Sequence, residues 1–279
     1  TLHYIVMLAF NAKKQLLEFL SEDIGRGDIT SQLLPKRNIS ARIITRQFAI
    51  VAGARYAKKI FELKGCSVKI LKKDGNKVKP NATIMLISGD AKKILSCERT
   101  ALNLLTRMSG IATQTDQLVK KIPNKKTKLY STRKTAPGLR YFDKEAVEIG
   151  GGGKHRLRLD EMVMIKDNHI AVGESLLSLI KKAKKKYKKF EVEVENTPDA
   201  VLAAKEGATI IMLDNFSPAL IKKTIQVLKD QRLRDRVLLE ASGGINSKNI
   251  AKYGITGVDI ISVGSITNSV KGIDMSLEI

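Results

Sequence analysis

Ile210-Ile211-Met212-Leu213-Asp214 is a run of four apolar residues that ends on a carboxylate. The same design recurs through the second half of the chain. Phe190 to Val194 ends at Glu195, Met162 to Ile165 ends at Lys166, and Leu129-Tyr130 leads to Arg133 and Lys134. Val237 to Leu239 leads to Ser242-Gly243-Gly244, and Ile260 to Val263 ends at Gly264. Short apolar runs that alternate with helical stretches read as buried parallel strands. In a β/α barrel the active site is assembled at the C-terminal ends of such strands. These ends are cationic, then anionic, then glycine-rich. That order suggests an acidic substrate, a metal or ribose site, and a phosphate cradle.

The first half reads differently. Leu8 to Leu20 has helical apolar spacing, and a polar, glycine-rich loop follows from Ser21 to Thr30. Ala41 to Val51 alternates as a strand, and Tyr56 to Lys64 is spaced as a helix. Ser67 to Ile87 reads as strand, turn, strand, with the turn at Asp74-Gly75-Asn76. Ile94 to Met108 forms an amphipathic helix with Glu98 and Arg99 on its polar face. These patterns predict two domains: residues 1–110 as an N-terminal α/β domain and 111–266 as the β/α barrel. Residues 267–279 follow the last barrel strand and are expected to pack back on the first domain.

At 279 residues the chain can bury one large core or two modest ones. No apolar run approaches the roughly 20 residues that span a membrane. The apolar start, Thr1 to Phe10, has neither basic leader nor cleavage site, so a cytoplasmic protein is expected. Cys66 and Cys97, the two cysteines, lack metal-binding spacing and are expected to stay reduced and buried. Much of the net charge of +22 lies between Lys181 and Lys189. We read that block as a solvated helix face and expect no nucleic-acid partner, since aromatics are scarce and no nucleic-acid motif is present.

The strand ends carry the candidate chemistry. Glycines in Ser242-Gly243-Gly244 and at Gly264 let the backbone approach an oxyanion, and successive late barrel loops often hold phosphate. Glu195 and Asp214 are placed to meet Mg²⁺ or ribose hydroxyls, or to stabilise a developing cation; the bland alternative is a salt bridge or helix cap. Arg133, Lys134, His155, Arg156 and Lys166 form a cationic set suited to carboxylates and phosphates. The glycine run Gly150 to Gly153 before His155 allows close approach to a ligand, or simple flexibility. Arg99, in the first domain, reaches a barrel mouth only where domains or subunits meet.

Several segments together resemble quinolinate phosphoribosyltransferases. They are Glu22 to Thr30, Glu98-Arg99-Thr100-Ala101-Leu102-Asn103, Thr132 to Arg140, His155-Arg156 and Lys166-Asp167-Asn168-His169. Val192-Glu193-Val194-Glu195, Leu213-Asp214-Asn215 and Ala241-Ser242-Gly243-Gly244-Ile245 continue the series in family order. The resemblance implies an α/β sandwich beside an incomplete, TIM-like β/α barrel. It implies conversion of quinolinate and phosphoribosyl pyrophosphate to nicotinate mononucleotide, CO₂ and pyrophosphate with Mg²⁺, in de novo NAD biosynthesis.

It further implies a homodimer, open to higher assembly, in which Arg99 completes the neighbouring active site. Arg99, Arg133, His155, Arg156 and Lys166 would hold the quinolinate carboxylates. Lys134 and Lys166 would face phosphoribosyl pyrophosphate, and Glu195 and Asp214 the ribose, directly or through Mg²⁺. Ser242, Gly243, Gly244 and Gly264 would cradle the 5′-phosphate. Lys134, Lys166, Glu195 and Asp214 would be the catalytic set. Ala136 and Lys154 depart from the residues common in the family and bear on substrate detail rather than reaction class.

Overall fold

The structure is a computed structural model that describes residues 2–279, with side chains described from Ala12 onward; most of the apolar opening, Thr1 to Phe10, therefore has no side-chain account. The first half runs α1 (Leu2–Ile24), β1 (Asn38–Thr45), β2 (Ala49–Ile50), α2 (Ala54–Leu63), β3 (Ser67–Ile70), β4 (Lys77–Val78), β5 (Thr83–Asp90) and α3 (Ala91–Lys121). Next come β6 (Lys128–Ser131), α4 (Arg140–Ile149), β7 (Gly153–Lys154), β8 (Val163–Ile165), α5 (Asp167–Ala171) and α6 (Leu176–Lys186). The chain ends with β9 (Phe190–Val194), α7 (Thr197–Glu206), β10 (Ile210–Asp214), α8 (Pro218–Asp230), β11 (Leu238–Ser242), α9 (Ile250–Gly254), β12 (Ile260–Ser262), α10 (Ser265–Asn268) and β13 (Met275–Glu278).

Two compact units emerge. One comprises Thr1–Gln114, Pro137–Gly150 and Val270–Ile279; the other comprises Thr115–Ala136 and Gly151–Ser269. The first holds an antiparallel sheet in the order β13-β1-β5-β3 and a small β2-β4 ribbon. Ile43, Ile60, Phe61, Ile84 and Ile94 are buried in its core. Each such side chain contributes roughly 1.5–3 kcal/mol of hydrophobic stabilisation. The C-terminal strand β13 lies antiparallel to β1, with Arg42 opposite Glu278.

Residues 137–150 depart from the sequence reading, which put them in the barrel segment. Helix α4 groups with the first unit because its buried face is spoken for there. Phe142 is fully buried and meets the Tyr56 ring edge-on at 4.9 Å. Asp143, also fully buried, accepts a two-pronged bond from Arg107 at 2.7 and 2.8 Å. Burial pushes the Asp143 carboxyl up, and the Arg107 bonds oppose that. The boundary expected near residue 110 falls inside α3, which runs on to Lys121, and the units divide between Gln114 and Thr115. Gly110 does not end the helix. It lets the C-terminal segment cross close by.

The second unit is a seven-stranded sheet in the order β7-β6-β12-β11-β10-β9-β8, parallel throughout, which makes an incomplete barrel. Phe190, Val192, Val194, Ile211, Leu213, Leu239 and Ala241 alternate along the strands and are buried. The helices start where the sequence caps them. Ser175, Asn196 and Ser217 accept backbone N–H bonds at the starts of α6, α7 and α8, and prolines occupy the first turns of α7 and α8. Strand β7 was not anticipated. Its Gly153 packs under the Tyr130 ring, where a Cβ would lie 2.1 Å from Cε1, so at least this member of the glycine run serves packing.

Cys66 and Cys97 are free and buried, and burial pushes the Cys97 thiol up to about 12. The lysines from Lys181 to Lys189 are exposed on and after α6. Among the described residues no helix is long and apolar enough to cross a membrane.

The close crossing at Gly110 is testable. A Cβ there would stand 2.2 Å from the Lys271 carbonyl oxygen. Alanine improves helix propensity by about 1 kcal/mol, but displacing backbone in a packed site costs roughly 1–3 kcal/mol. Gly110→Ala should therefore lower the urea midpoint; an unchanged or raised midpoint would refute this account of α3.

Candidate active site

All seven barrel strands point the same way, so their C-terminal ends share one rim. A cavity of about 340 Å³ opens there. Arg133, Lys134, His155, Arg156 and Lys166 line it, together with Asp214 and Ser242. Thr132, Met164, Glu193, Met212, Glu240 and Ser262 complete the lining.

Arg156 is anchored at one end and open at the other. Its Nη1 donates to the Met162 carbonyl at 2.9 Å, and its Nη2 lies 3.3 Å from the Met164 sulfur. The buried Nε groups of Arg133 and Arg156 find no acceptor among the described residues. A buried donor left unmade costs about 1–3 kcal/mol, so an anion in the cavity would recover that penalty. Burial and then the neighbouring Arg133 charge push the Arg156 guanidinium down, against Glu191 and Glu193. Two guanidiniums are thus held in mutual repulsion at one wall. Lys166 ends β8 and reaches Glu193 Oε2 at 2.6 Å; its backbone N–H donates to His169 Nδ1 at 3.0 Å.

The glycine turns sit on neighbouring strands. Gly243 (φ +94°) and Gly244 (φ +61°) occupy the left-handed region. A Cβ on Gly243 would lie 2.2 Å from Asn215 Oδ1 and 2.6 Å from Asn215 N. Helix α9 starts only at Ile250 and has five residues. Asn246 and Asn249 fold the intervening loop instead, both donating to the Gly244 carbonyl. The second turn, at Gly264, faces the Lys134 side chain, and a Cβ there would lie 3.2 Å from Lys134 Cδ. Thr267 Oγ1 donates to the Lys134 carbonyl at 2.8 Å and joins the two loops.

Asp214 and Glu195 stand at one level on adjacent strands. Val194 pairs with Leu213, and each carboxylate follows directly. Asp214 lines the cavity and accepts from Asn215 Nδ2 at 2.7 Å, whereas Glu195 is exposed, one residue past β9. Neither has an ion pair among the described residues. Two hard oxygen donors, unneutralised and at the solvent-facing rim, suit Mg²⁺ held jointly with water or a phosphorylated ligand. Arg99 is in the other unit, exposed on α3.

The chain is similar to known proteins over nearly its whole length. The family profile of the quinolinate phosphoribosyl transferase C-terminal domain matches residues 111–278, and that of the N-terminal domain matches residues 28–109. The chain belongs to the quinolinate phosphoribosyltransferase family. A probable nicotinate-nucleotide pyrophosphorylase [carboxylating] of Methanothermobacter thermautotrophicus is 43% identical over 94% of this chain and 96% of its own. One from Bacillus subtilis is 39% identical over 96% of this chain and 93% of its own. The structure of the nicotinate-nucleotide pyrophosphorylase from Francisella tularensis superposes with a TM-score of 0.89 at 40% identity, covering 96% of this chain and 95% of that one.

This member of the quinolinate phosphoribosyltransferase family also holds acidic residues that the strand-end reading passed over. Glu193 pairs with Lys166. Glu191 and Glu240 are fully buried against His155, at 3.0 and 3.5 Å from its Nε2. A signal was available. Strand alternation puts Glu191 and Glu193 on the face of β9 opposite Val192, and Glu240 on the face of β11 shared with Ser242.

Gly243→Ala should weaken binding of ribose 5-phosphate by at least about tenfold, roughly 1.4 kcal/mol, because the turn must open to admit the methyl group. Calorimetric titration measures it; unchanged affinity would remove this turn from the phosphate site.

Proposed function

We propose that the chain is a quinolinate phosphoribosyltransferase, joining quinolinate and phosphoribosyl pyrophosphate to give nicotinate mononucleotide, CO₂ and pyrophosphate in NAD biosynthesis. The observation that carries the substrate reading is the pair of guanidiniums on Arg133 and Arg156, which line one cavity with Lys166 and His155 and whose buried Nε groups have no acceptor among the described residues. Neighbouring carboxylates on a flat ring match two guanidinium forks better than a single carboxylate would.

Arg133, Arg156, Lys166 and His155 orient quinolinate so that its ring nitrogen faces the ribose. Ser242, Gly243, Gly244 and Gly264 hold the 5′-phosphate, and Glu195 and Asp214 hold the ribose hydroxyls. As pyrophosphate leaves, positive charge develops on the ribose, and these two carboxylates stabilise it. Lys134 and Lys166 take up negative charge on the pyrophosphate. Glu195 and Asp214 would hold Mg²⁺, directly or through substrate and water, and the bound ion would supply further neutralisation of phosphate charge. Attack by the ring nitrogen requires alignment more than a base. When the adjacent carboxylate departs as CO₂, its bonding pair stays on the ring carbon, where the neighbouring pyridinium charge stabilises it as an ylide, and that carbon then takes a proton from solvent. No covalent ribosyl-enzyme is needed.

Arg99 enters as a contribution from a partner subunit. Its exposed guanidinium has no ion pair among the described residues, which leaves it available to a second copy's cavity. The working unit is then a homodimer, placed in the cytoplasm.

Quinolinate should support formation of nicotinate mononucleotide and CO₂, with nicotinate a poor acceptor. Turnover of nicotinate alone would reverse the substrate assignment. Mixing inactive Arg99→Ala and Glu195→Ala proteins under subunit exchange should restore part of the activity, because one site per mixed dimer keeps both residues. No recovery despite demonstrated exchange would refute the shared site.

A further inference from the structure

Beneath the cationic wall lies a feature that the proposed chemistry does not use. His155, Glu191 and Glu240 meet inside the barrel, Glu191 from β9 and Glu240 from β11. Both carboxylates are completely buried, and their oxygens find no hydrogen-bond donor among the described residues apart from the close imidazole. Two buried carboxylates are costly unless positive charge is nearby. The groups around them are His155, Arg156 on its own loop, and Arg133 beyond β6; Glu193 lies further along β9, and the Tyr130 ring stands edge-on to His155 at 6.3 Å.

The ring is oriented from both sides. Nε2 points at the carboxylates, and the Arg156 backbone N–H lies 2.9 Å from Nδ1. Because His155 and Arg156 are adjacent, fixing the ring also fixes where the Arg156 guanidinium departs from the chain.

We propose that Glu191 and Glu240 are positioning residues: they hold His155 with Nε2 inward and offset the positive charge crowded at Arg133 and Arg156, so that the wall is preformed for a dicarboxylate. This rests on the reading of that wall as the quinolinate site. Charge arithmetic supports it. With Nδ1 accepting from the Arg156 backbone N–H, the two carboxylates match the two guanidiniums in charge, so the wall can hold both guanidiniums ahead of the ligand. Burial opposes protonation of His155, but the bonds and charges of Glu191 and Glu240 outweigh it and lift the imidazole to about 9. Burial likewise pushes the Glu191 carboxyl up, against the pull of His155. The sign follows. Stabilisation from the raised imidazole is fully present below its unfolded value, near 6.5, and is lost as pH rises through about 9. A divalent cation could also sit among one nitrogen and two carboxylates, and would require Nε2 to be deprotonated. The nearby guanidiniums argue for a proton there instead.

The test uses the full-length protein and Glu191→Gln and Glu240→Gln, which preserve shape. Each should raise KM for quinolinate by about tenfold while KM for phosphoribosyl pyrophosphate moves much less. The alkaline limb of kcat/KM for quinolinate should shift to lower pH. Equal change in both KM values, or an unmoved limb, would overturn the proposal. Arg133→Ala and Arg156→Ala separate the two levels of argument. If they leave quinolinate KM unchanged, the site reading itself fails; if they raise it and the glutamine variants do not, only the positioning role fails.

Should either variant not fold, the wild-type imidazole resonances decide. With three histidines in the chain the spectrum is simple. A His155 signal that stays protonated well above neutral pH supports the proposal. One that titrates near 6.5 or below overturns it. So does broadening of that signal by micromolar Mn²⁺ without substrate, which would make the cluster a cation site.

Discussion

Seven strands of one polarity bring the C-terminal end of each to a common rim, and every later feature depends on that. Register does the rest. Asp214 lies beside Ser242 on neighbouring strands, and Glu195 follows the residue that pairs with Leu213. A parallel sheet thus brings six separated segments onto one surface. Helices α7 and α8 are capped by Asn196 and Ser217, directly after β9 and β10.

Charge is layered along this cavity. Guanidinium and ammonium groups follow β6, β7 and β8 at the two ends of the sheet, carboxylates and glycine turns follow β9 to β12 between them, and a His155–Glu191–Glu240 cluster is buried. The order matches a substrate pair whose acidic ring must meet a phosphorylated sugar. An unbalanced cationic wall would repel itself; burial first and the Arg133 charge second push the Arg156 guanidinium down. Buried carboxylates make such crowding tolerable and leave the remaining positive charge for the ligand.

Much of this was legible in the chain. Apolar runs ending on charged or glycine residues identified six strands and most of the cavity lining, because buried parallel strands tolerate few other residues. Helix α2 and the strand-turn-strand from Ser67 to Ile87 followed from periodicity and turn residues. Other features were not legible for stated physical reasons. Strand β7 is two residues long and begins with Gly153, whose role is to clear the Tyr130 ring. The α3 helix continues through Gly110 because a tertiary crossing, invisible locally, required a residue without a side chain. Helix α4 belongs with the N-terminal unit through Phe142 and Asp143, whose partners lie far away in sequence. Glu191 and Glu240 were hidden by their neighbours: the strand composition drew attention to its ends, while alternation along the strand carried the information about its interior.

The account turns on recognition of two adjacent carboxylates by Arg133 and Arg156. Calorimetric binding of benzene-1,2-dicarboxylate, which lacks the reacting nitrogen, measures that recognition apart from catalysis. The wild-type protein should bind it well and benzoate poorly, and Arg133→Met or Arg156→Met should abolish the preference. Equal affinity for the two acids, or a preference that survives both substitutions, would contradict it.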